Sequence, residues 1–255
     1  MAQSFRQPSI LEIARREGRV MVEDLAERLE VTQQTIRRDL TELADAGKLE
    51  RVHGGAIYPS GVTNIGYEER RGLNEVAKAR IAGACAAAIP DGASVFVNIG
   101  TSTEAVARAL LTHKNLMVVT NNMNVANILV ENPHCEIIVA GGALRRSDGG
   151  LVGNLTMRTI EQFKFDIAVI GCSAMDMDGD LLDYDVQEVG VSQTIIAHAR
   201  QVFLVMDHSK IGRAAPAKIA SLKEIDRCFT DQGFPARLVE DCTVWGTEIV
   251  VAAGS

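Results

Sequence analysis

Val31-Thr32-Gln33-Gln34-Thr35-Ile36-Arg37-Arg38-Asp39-Leu40-Thr41-Glu42-Leu43 decides how the N-terminal part of this chain is read. Thr32 is a natural N-cap, and in a helix that starts behind it Ile36, Leu40 and Leu43 fall on one apolar stripe. The opposite face is polar. Gln34, Arg37, Arg38 and Thr41 project from it, with Thr35 on the flank. Such amide, hydroxyl and guanidinium groups suit the base edges and phosphates of a major groove. An ordinary amphipathic surface helix shows the same stripe, so the flanking sequence has to decide.

Upstream, Pro8 to Glu17 carries Ile10, Leu11, Ile13 and Ala14 at helical spacing and stops at Gly18. Val20 and Val22 alternate in a short piece, and Glu23 to Leu29 reads as a second helix with Leu25, Ala26 and Leu29 inward. Only Glu30 and Val31 then separate it from Thr32, the tight turn of a helix-turn-helix. Downstream, Gly47 ends the third helix. Leu49 to Val52 and Ala56 to Tyr58 alternate like strands around His53-Gly54-Gly55, a wing that would set Arg51 and His53 beside a duplex backbone.

The 255 residues, 47% of them apolar, suffice for a small domain and a larger one. The formal charge of −7 argues against a protein that coats nucleic acid nonspecifically. Residues 1–57 carry nine Lys and Arg against ten acids, so DNA binding must come from where the charges point. The five cysteines (Cys85, Cys135, Cys172, Cys228, Cys242) are far apart and lack C-x-x-C spacing, which favours buried free thiols over a disulfide framework or zinc site. The five scattered histidines give no metal spacing either. With no apolar run of membrane length and a polar start, a cytoplasmic protein without membrane contact is expected.

Pro59 to Gly72 shows neither helical nor strand period and reads as a linker. Beyond it helical and strand patterns alternate, and runs such as Ile167-Ala168-Val169-Ile170-Gly171 are apolar on both faces, as in central strands of a parallel sheet. The expected organisation is therefore a winged helix-turn-helix over 1–58, a linker over 59–72 and an α/β domain with a mainly parallel sheet over 73–255. Ligands gather at strand carboxyl ends in such sheets, and three places qualify. After the strand Ala93 to Asn98, Gly100-Thr101-Ser102-Thr103 opens a helix whose amides and hydroxyls can hold a phosphate or carboxylate; a plain helix cap is the bland alternative. Asn121 and Asn122 follow the next strand and can bind ligand hydroxyls or simply form a turn. Lys210, in Asp207-His208-Ser209-Lys210, brings a cation to a further strand end, with Asp207 equally suited to bonding its own loop.

Two other stretches bear on the ligand. The glycine-rich segment Gly141 to Gly150 departs from G-x-G-x-x-G, so a dinucleotide is a weak reading, and Arg145 is free to meet an anion or an interface. Asp176 to Glu188 fails as a calcium loop because Leu181 stands where the turn needs glycine and Gln187 where a bidentate Glu is required. Asp183 with Glu188 could move protons in an isomerase; Asp183 and Asp185 binding the hydroxyls of a polyol ligand is the reading favoured here.

Arg6 with Ile10, Thr32-x-x-Thr35-Ile36-Arg37-Arg38-Asp39-Leu40, Arg51 to Ala56, Gly100 to Thr103 and Asp207 to Lys210 together resemble the DeoR family of bacterial transcriptional regulators, along the whole chain. Many relatives have Ser at the position of Thr32, an equivalent cap. The resemblance implies a ribose-phosphate isomerase or coenzyme A transferase-like α/β half whose loops hold a sugar phosphate, double-stranded operator DNA as partner, and a homodimer or homotetramer. It implies a regulator with no catalytic residues, metal or cofactor, released by glycerol-3-phosphate or a related phosphorylated metabolite; another sugar phosphate, or an active isomerase or transferase joined to a DNA reader, are the rival expectations.

Overall fold

The computed structural model describes residues 3–46, 48–58 and 66–252. Its first part runs α1 (Gln3–Glu17), β1 (Arg19–Met21), α2 (Val22–Arg28), α3 (Gln33–Asp45), β2 (Glu50–Val52) and β3 (Gly55–Ile57). The Thr32 hydroxyl accepts from the Thr35 N–H at 3.2 Å, capping α3. Ile36, Leu40 and Leu43 are buried against Ile10, Ala14, Leu25 and Leu49, so burial of this stripe holds the helices together. The strands form an antiparallel sheet in the order β1-β3-β2, with the wing turn at His53 and Gly54.

The first helix begins five residues before the expected Pro8, which lies inside it. Side chains of that added turn reach the recognition helix: the Arg6 guanidinium forks onto the Asp39 carboxylate, and the Gln7 amide donates to Glu42 at 2.7 Å. These long-range ties offset the donor that proline lacks. Gly47, expected to end the third helix, lies outside the described residues, and Ala46 closes α3.

The second part runs α4 (Tyr67–Gly72), α5 (Glu75–Ala87), β4 (Ser94–Val97), α6 (Thr101–Ala109), β5 (Leu116–Thr120), α7 (Met123–Leu129) and β6 (Cys135–Val139). It continues with β7 (Ala143–Arg145), β8 (Gly150–Val152), α8 (Asn154–Ile160), β9 (Phe165–Ile170), β10 (Ala174–Met175), β11 (Asp180–Asp183) and α9 (Val186–Ala197). The last elements are β12 (Ala199–Val205), β13 (Ala217–Ser221), β14 (Arg227–Thr230), α10 (Ala236–Trp245) and β15 (Glu248–Val251).

Seven strands pair in parallel in the order β15-β14-β12-β9-β4-β5-β6. Alternate residues serve two cores. Val97, Val169 and Phe203 pack with Ile81 of α5, Val106 of α6 and Val125 of α7. Phe96, Ile170 and Leu204 pack with Ile195 of α9, Leu238 of α10 and the small antiparallel sheet β10-β11-β13. Chain order reverses between β4 and β9, so the loops after these strands diverge and leave a crevice at their carboxyl ends.

Two expectations need correction. Residues 67–72 of the presumed linker form α4. Barely more than one turn long, it shows no period, and long-range bonds hold it: the Tyr67 hydroxyl lies 3.0 Å from each Glu104 carboxylate oxygen, and Lys78 donates to the Arg70 carbonyl. The remainder of that segment, 59–65, lies outside the described residues. Of the cysteines, all free, Cys135 and Cys172 are half-buried rather than buried. Beyond these corrections, the two parts touch: Gly18, which closes α1 at φ +72°, leaves so little room that a Cβ there would stand 2.9 Å from Arg213 Cδ and 3.1 Å from the Ser209 carbonyl.

Candidate functional site

On α3, Gln34, Arg37, Arg38 and Thr41 are exposed and Thr35 is half-exposed, while Arg51 and His53 are exposed on the wing. These groups bond locally. Arg38 pairs with Glu42 at 3.0 Å, Arg37 lies 3.3 Å from the Gln33 amide oxygen, and the Thr41 hydroxyl donates to the Arg37 carbonyl at 2.8 Å. Groups held by exposed helix neighbours are released at low cost, so the face is free to exchange these bonds for phosphates and base edges.

At the crevice between β4 and β9 lies a cavity of about 30 Å³, lined by Arg70, Gly100 to Thr103, Gly171 to Ser173, Asp183, Glu188 and Lys210. Gly100 has φ 144°, a conformation that disfavours a side chain, and turns the chain from β4 into α6. Asn98 steadies this loop: its carbonyl accepts from Thr103 Oγ1 at 2.7 Å, its side-chain oxygen from the Ile99 N–H at 2.7 Å, and its amide donates to Ser192 at 2.9 Å. The amino end of α6 thus lines the cavity, where the first N–H groups of a helix and its dipole favour an anion.

Lys210 arrives from the loop after β12. Asp207 fixes that loop, its carboxylate accepting from the Ser209 N–H at 3.0 Å and from the Asn74 amide at 2.9 Å. Burial lowers the Lys210 ammonium's pKa, with Asp207 opposing that shift. The cavity is also lined by Asp183, which accepts from the Tyr184 N–H at 2.7 Å, and by Glu188, which burial and then the charge of Asp183 push up to about 7. The lining therefore combines donors and cations with carboxylate acceptors, a mixture suited to a molecule with an anionic end and hydroxyls.

Of the residues singled out from the sequence, Gly100, Thr101, Ser102, Thr103, Asp183 and Lys210 meet at this cavity. The others stand behind it. Asn121 is buried with its amide on the Leu151 carbonyl at 3.1 Å, and Asn122 caps α7 while its amide points to Glu104 at 3.4 Å. Asp185 caps α9. Arg145 is spoken for by three acids, bonding Asp148 at 2.9 and 2.6 Å, Asp185 at 2.6 Å and Glu188 at 2.6 Å. It ties the β7–β8 hairpin to the amino end of α9.

Sequence reasoning missed Arg70, Cys172, Ser173 and Glu104. Burial pushes the Cys172 thiol up to about 12, which keeps it neutral in the cavity wall. Glu104 is buried and gathers donors from Tyr67 at 3.0 Å and Asn124 at 3.0 Å, joining α4, α6 and α7. An acid following a Gly-Thr-Ser-Thr loop was the one available signal, and it reads equally well as a first-turn charge on α6. Among the described residues no His, Cys, Asp and Glu cluster could hold a metal ion, and no helix is long and apolar enough to cross a membrane.

A winged helix-turn-helix with an exposed polar recognition face, joined to a parallel α/β sheet that carries a polar cavity at its switch point, is the build of a ligand-responsive DNA-binding regulator. Comparison with known proteins narrows the class. Residues 6–62 match the DeoR-like helix-turn-helix domain and residues 73–232 the DeoR C terminal sensor domain, and the chain belongs to the DeoR family of regulators. It is 44% identical over 243 residues to the glycerol-3-phosphate regulon repressor of Escherichia coli K12, covering 95% of this chain and 96% of that one. To the glycerol-3-phosphate regulon repressor of Haemophilus influenzae Rd it is 42% identical over 254 residues, covering 100% and 99%. Among solved structures, ribose 5-phosphate isomerase A of Methanocaldococcus jannaschii aligns with a TM-score of 0.41 at 12% identity, over 54% of this chain and 55% of that one, too slight a likeness to carry argument.

Proposed function

We propose that this protein represses genes of glycerol-3-phosphate metabolism by binding double-stranded operator DNA, and that a phosphorylated small molecule, glycerol-3-phosphate first among candidates, releases it. One observation carries the ligand half of the reading: the amino end of α6 and Lys210 face one cavity. The phosphate would take N–H groups and hydroxyls of Gly100 to Thr103, with Lys210 as a point charge. Asp183 and Glu188 would accept from the glycerol hydroxyls. At about 30 Å³ the cavity is sized for water, so a ligand must widen it.

Release of DNA requires that the arrangement unable to bind operator hold the ligand more tightly, and a factor of about 100 in operator affinity corresponds to roughly 2.7 kcal/mol of coupling. Two readers in a homodimer or homotetramer would address symmetric half-sites, and a change in their relative orientation would abolish the match. The reading places the protein in the cytoplasm, calls for no metal or organic cofactor and involves no turnover. A gel-shift titration tests it: operator binding should weaken as glycerol-3-phosphate is added, and unchanged affinity up to millimolar ligand would remove the inducer claim.

A second reading, residual isomerase-type proton transfer, has one observation in its favour: Glu188, tuned to about 7, shares the cavity with Asp183 and Lys210. Against it, Glu188 is held by Arg145. Sustained turnover of phosphorylated aldoses or ketoses, lost in Asp183→Ala, would establish this activity; none is expected.

A further inference from the structure

We propose that Arg213, outside the cavity on the loop after β12, is a positioning residue that seats the DNA reader on the sensor, so that ligand at Lys210 acts on the recognition helix through the contact of Arg213 with Gly18. The proposal rests on the effector reading above and adds the residue that carries occupancy from one part of the chain to the other.

Gly18 is fastened on both sides within the reader. Its N–H donates to the Ala14 carbonyl at 2.8 Å and its carbonyl accepts from the Tyr58 N–H at 2.8 Å, so it joins the end of α1 to the chain just past β3. Helix α1 in turn holds the recognition helix through Arg6 and Gln7. Against this fixed point lies the Arg213 side chain: a Cβ on Gly18 would stand 3.3 Å from its Nε and closer still to its Cδ. A neighbouring residue lies near the same loop. Asp231 bonds the His208 imidazole at 2.7 Å and raises its pKa, and the charges of Asp207 and of Glu17, the residue before Gly18, add to that rise.

The loop is bonded at nearly every step. Asp207 caps the turn His208–Lys210, the Arg213 N–H donates to the Lys210 carbonyl at 3.4 Å, and the Gly212 N–H donates to the Met175 carbonyl at 2.8 Å. A shift of Lys210 toward a bound anion is therefore passed to Arg213. Arg213 is only 8% exposed, and its Nε has no hydrogen-bond partner. A buried N–H without an acceptor costs free energy, and lifting the reader away would give that donor to water. The seated arrangement thus carries a built-in cost, which makes it easier for a ligand to tip. Seated, the reader leaves Gln34, Arg37, Arg38 and Thr41 exposed, so this is the arrangement that grips operator, and ligand at Lys210 unseats it.

The test measures operator affinity by fluorescence anisotropy, with and without saturating glycerol-3-phosphate, and ligand affinity by calorimetry. It uses full-length wild type, Arg213→Ala, Arg213→Lys and Gly18→Asn, each first checked for cooperative unfolding. Asparagine tolerates the left-handed backbone, so Gly18→Asn keeps the end of α1 while its side chain collides with Arg213. Arg213→Ala and Gly18→Asn should bind glycerol-3-phosphate within about threefold of wild type, yet their operator affinity should change less than about tenfold on adding it, against about 100-fold for wild type. Arg213→Lys keeps an alkyl stem against Gly18 and should retain most of the response. Amide hydrogen exchange over residues 14–18 and 207–213, without ligand, should quicken in the two disruptive variants. If Gly18→Asn does not fold, the two Arg213 variants decide. Arg213→Ala that binds ligand and responds to it within about twofold of wild type would overturn the role of Arg213 and leave the effector reading standing. Arg213→Ala that no longer binds ligand would also overturn it, by showing a part in binding rather than in positioning. A wild type whose operator affinity ignores glycerol-3-phosphate would overturn the effector reading, and this proposal with it.

Discussion

Asp39 sits in the middle of the recognition helix yet is 1% exposed, held by the guanidinium of Arg6 from α1. Removing one partner of a buried pair strands the other charge, so Arg6→Ala should cost about 3 kcal/mol in denaturant unfolding of the winged domain. A loss below about 0.5 kcal/mol would mean that the pair contributes little. Glu188 poses a different question, because burial and Asp183 raise its carboxyl up to about 7. Since that value lies above the ordinary carboxylate range, its contribution to stability is whole below about pH 4.3 and is lost as pH rises through about 7. Wild-type thermal stability should therefore fall between roughly pH 5 and pH 8, and Glu188→Gln should flatten that decline; parallel curves would refute the assignment. The sequence offered Glu188 only as a partner of Asp183 in proton transfer, and the role of Asp39 was not legible in it. A charge on an amphipathic helix reads as solvated, and the partner of Asp39 is 33 residues away.

Elements with a period were legible, and those held by tertiary bonds were not. The stripe Ile36, Leu40 and Leu43 announced α3, and apolar runs announced β4, β5, β9 and β12 because a strand covered on both faces has no polar side to hide. The hairpin β7–β8 and the sheet β10-β11-β13 escaped notice: their strands are two to five residues long, and carboxylates and glycines interrupt them. Helix α4 escaped for the same reason, and with it Arg70, since a charge cluster beside glycines reads as a linker. The candidate cavity was therefore half visible: its glycine loop and lysine stand at strand ends, a place that topology alone singles out. For α3 the prediction concerns its cap. Thr32→Ala should cost about 1 kcal/mol of stability by leaving the Thr35 N–H without its acceptor, and should weaken operator binding because the cap aligns the helix that carries Gln34 and Arg37. Unchanged unfolding would show that neighbouring contacts fix the helix start instead.

Across the whole molecule, an acidic chain carries a nearly neutral reader, so its grip on DNA depends on the placement of a few guanidinium groups rather than on bulk charge. Two paths lead from those groups to the cavity: the contact of Gly18 with Arg213 and Ser209, three residues or fewer from Lys210, and the segment ending in α4. Both converge on residues that would surround a phosphate. Ligand occupancy would therefore bias the reader through few intermediate contacts. The decisive measurement is operator affinity by fluorescence anisotropy against rising glycerol-3-phosphate, with wild type and Lys210→Ala side by side. Wild type should lose affinity by about 100-fold while the variant keeps its grip at every ligand concentration. A variant that lets go of the operator at the same ligand concentration as wild type would contradict the account.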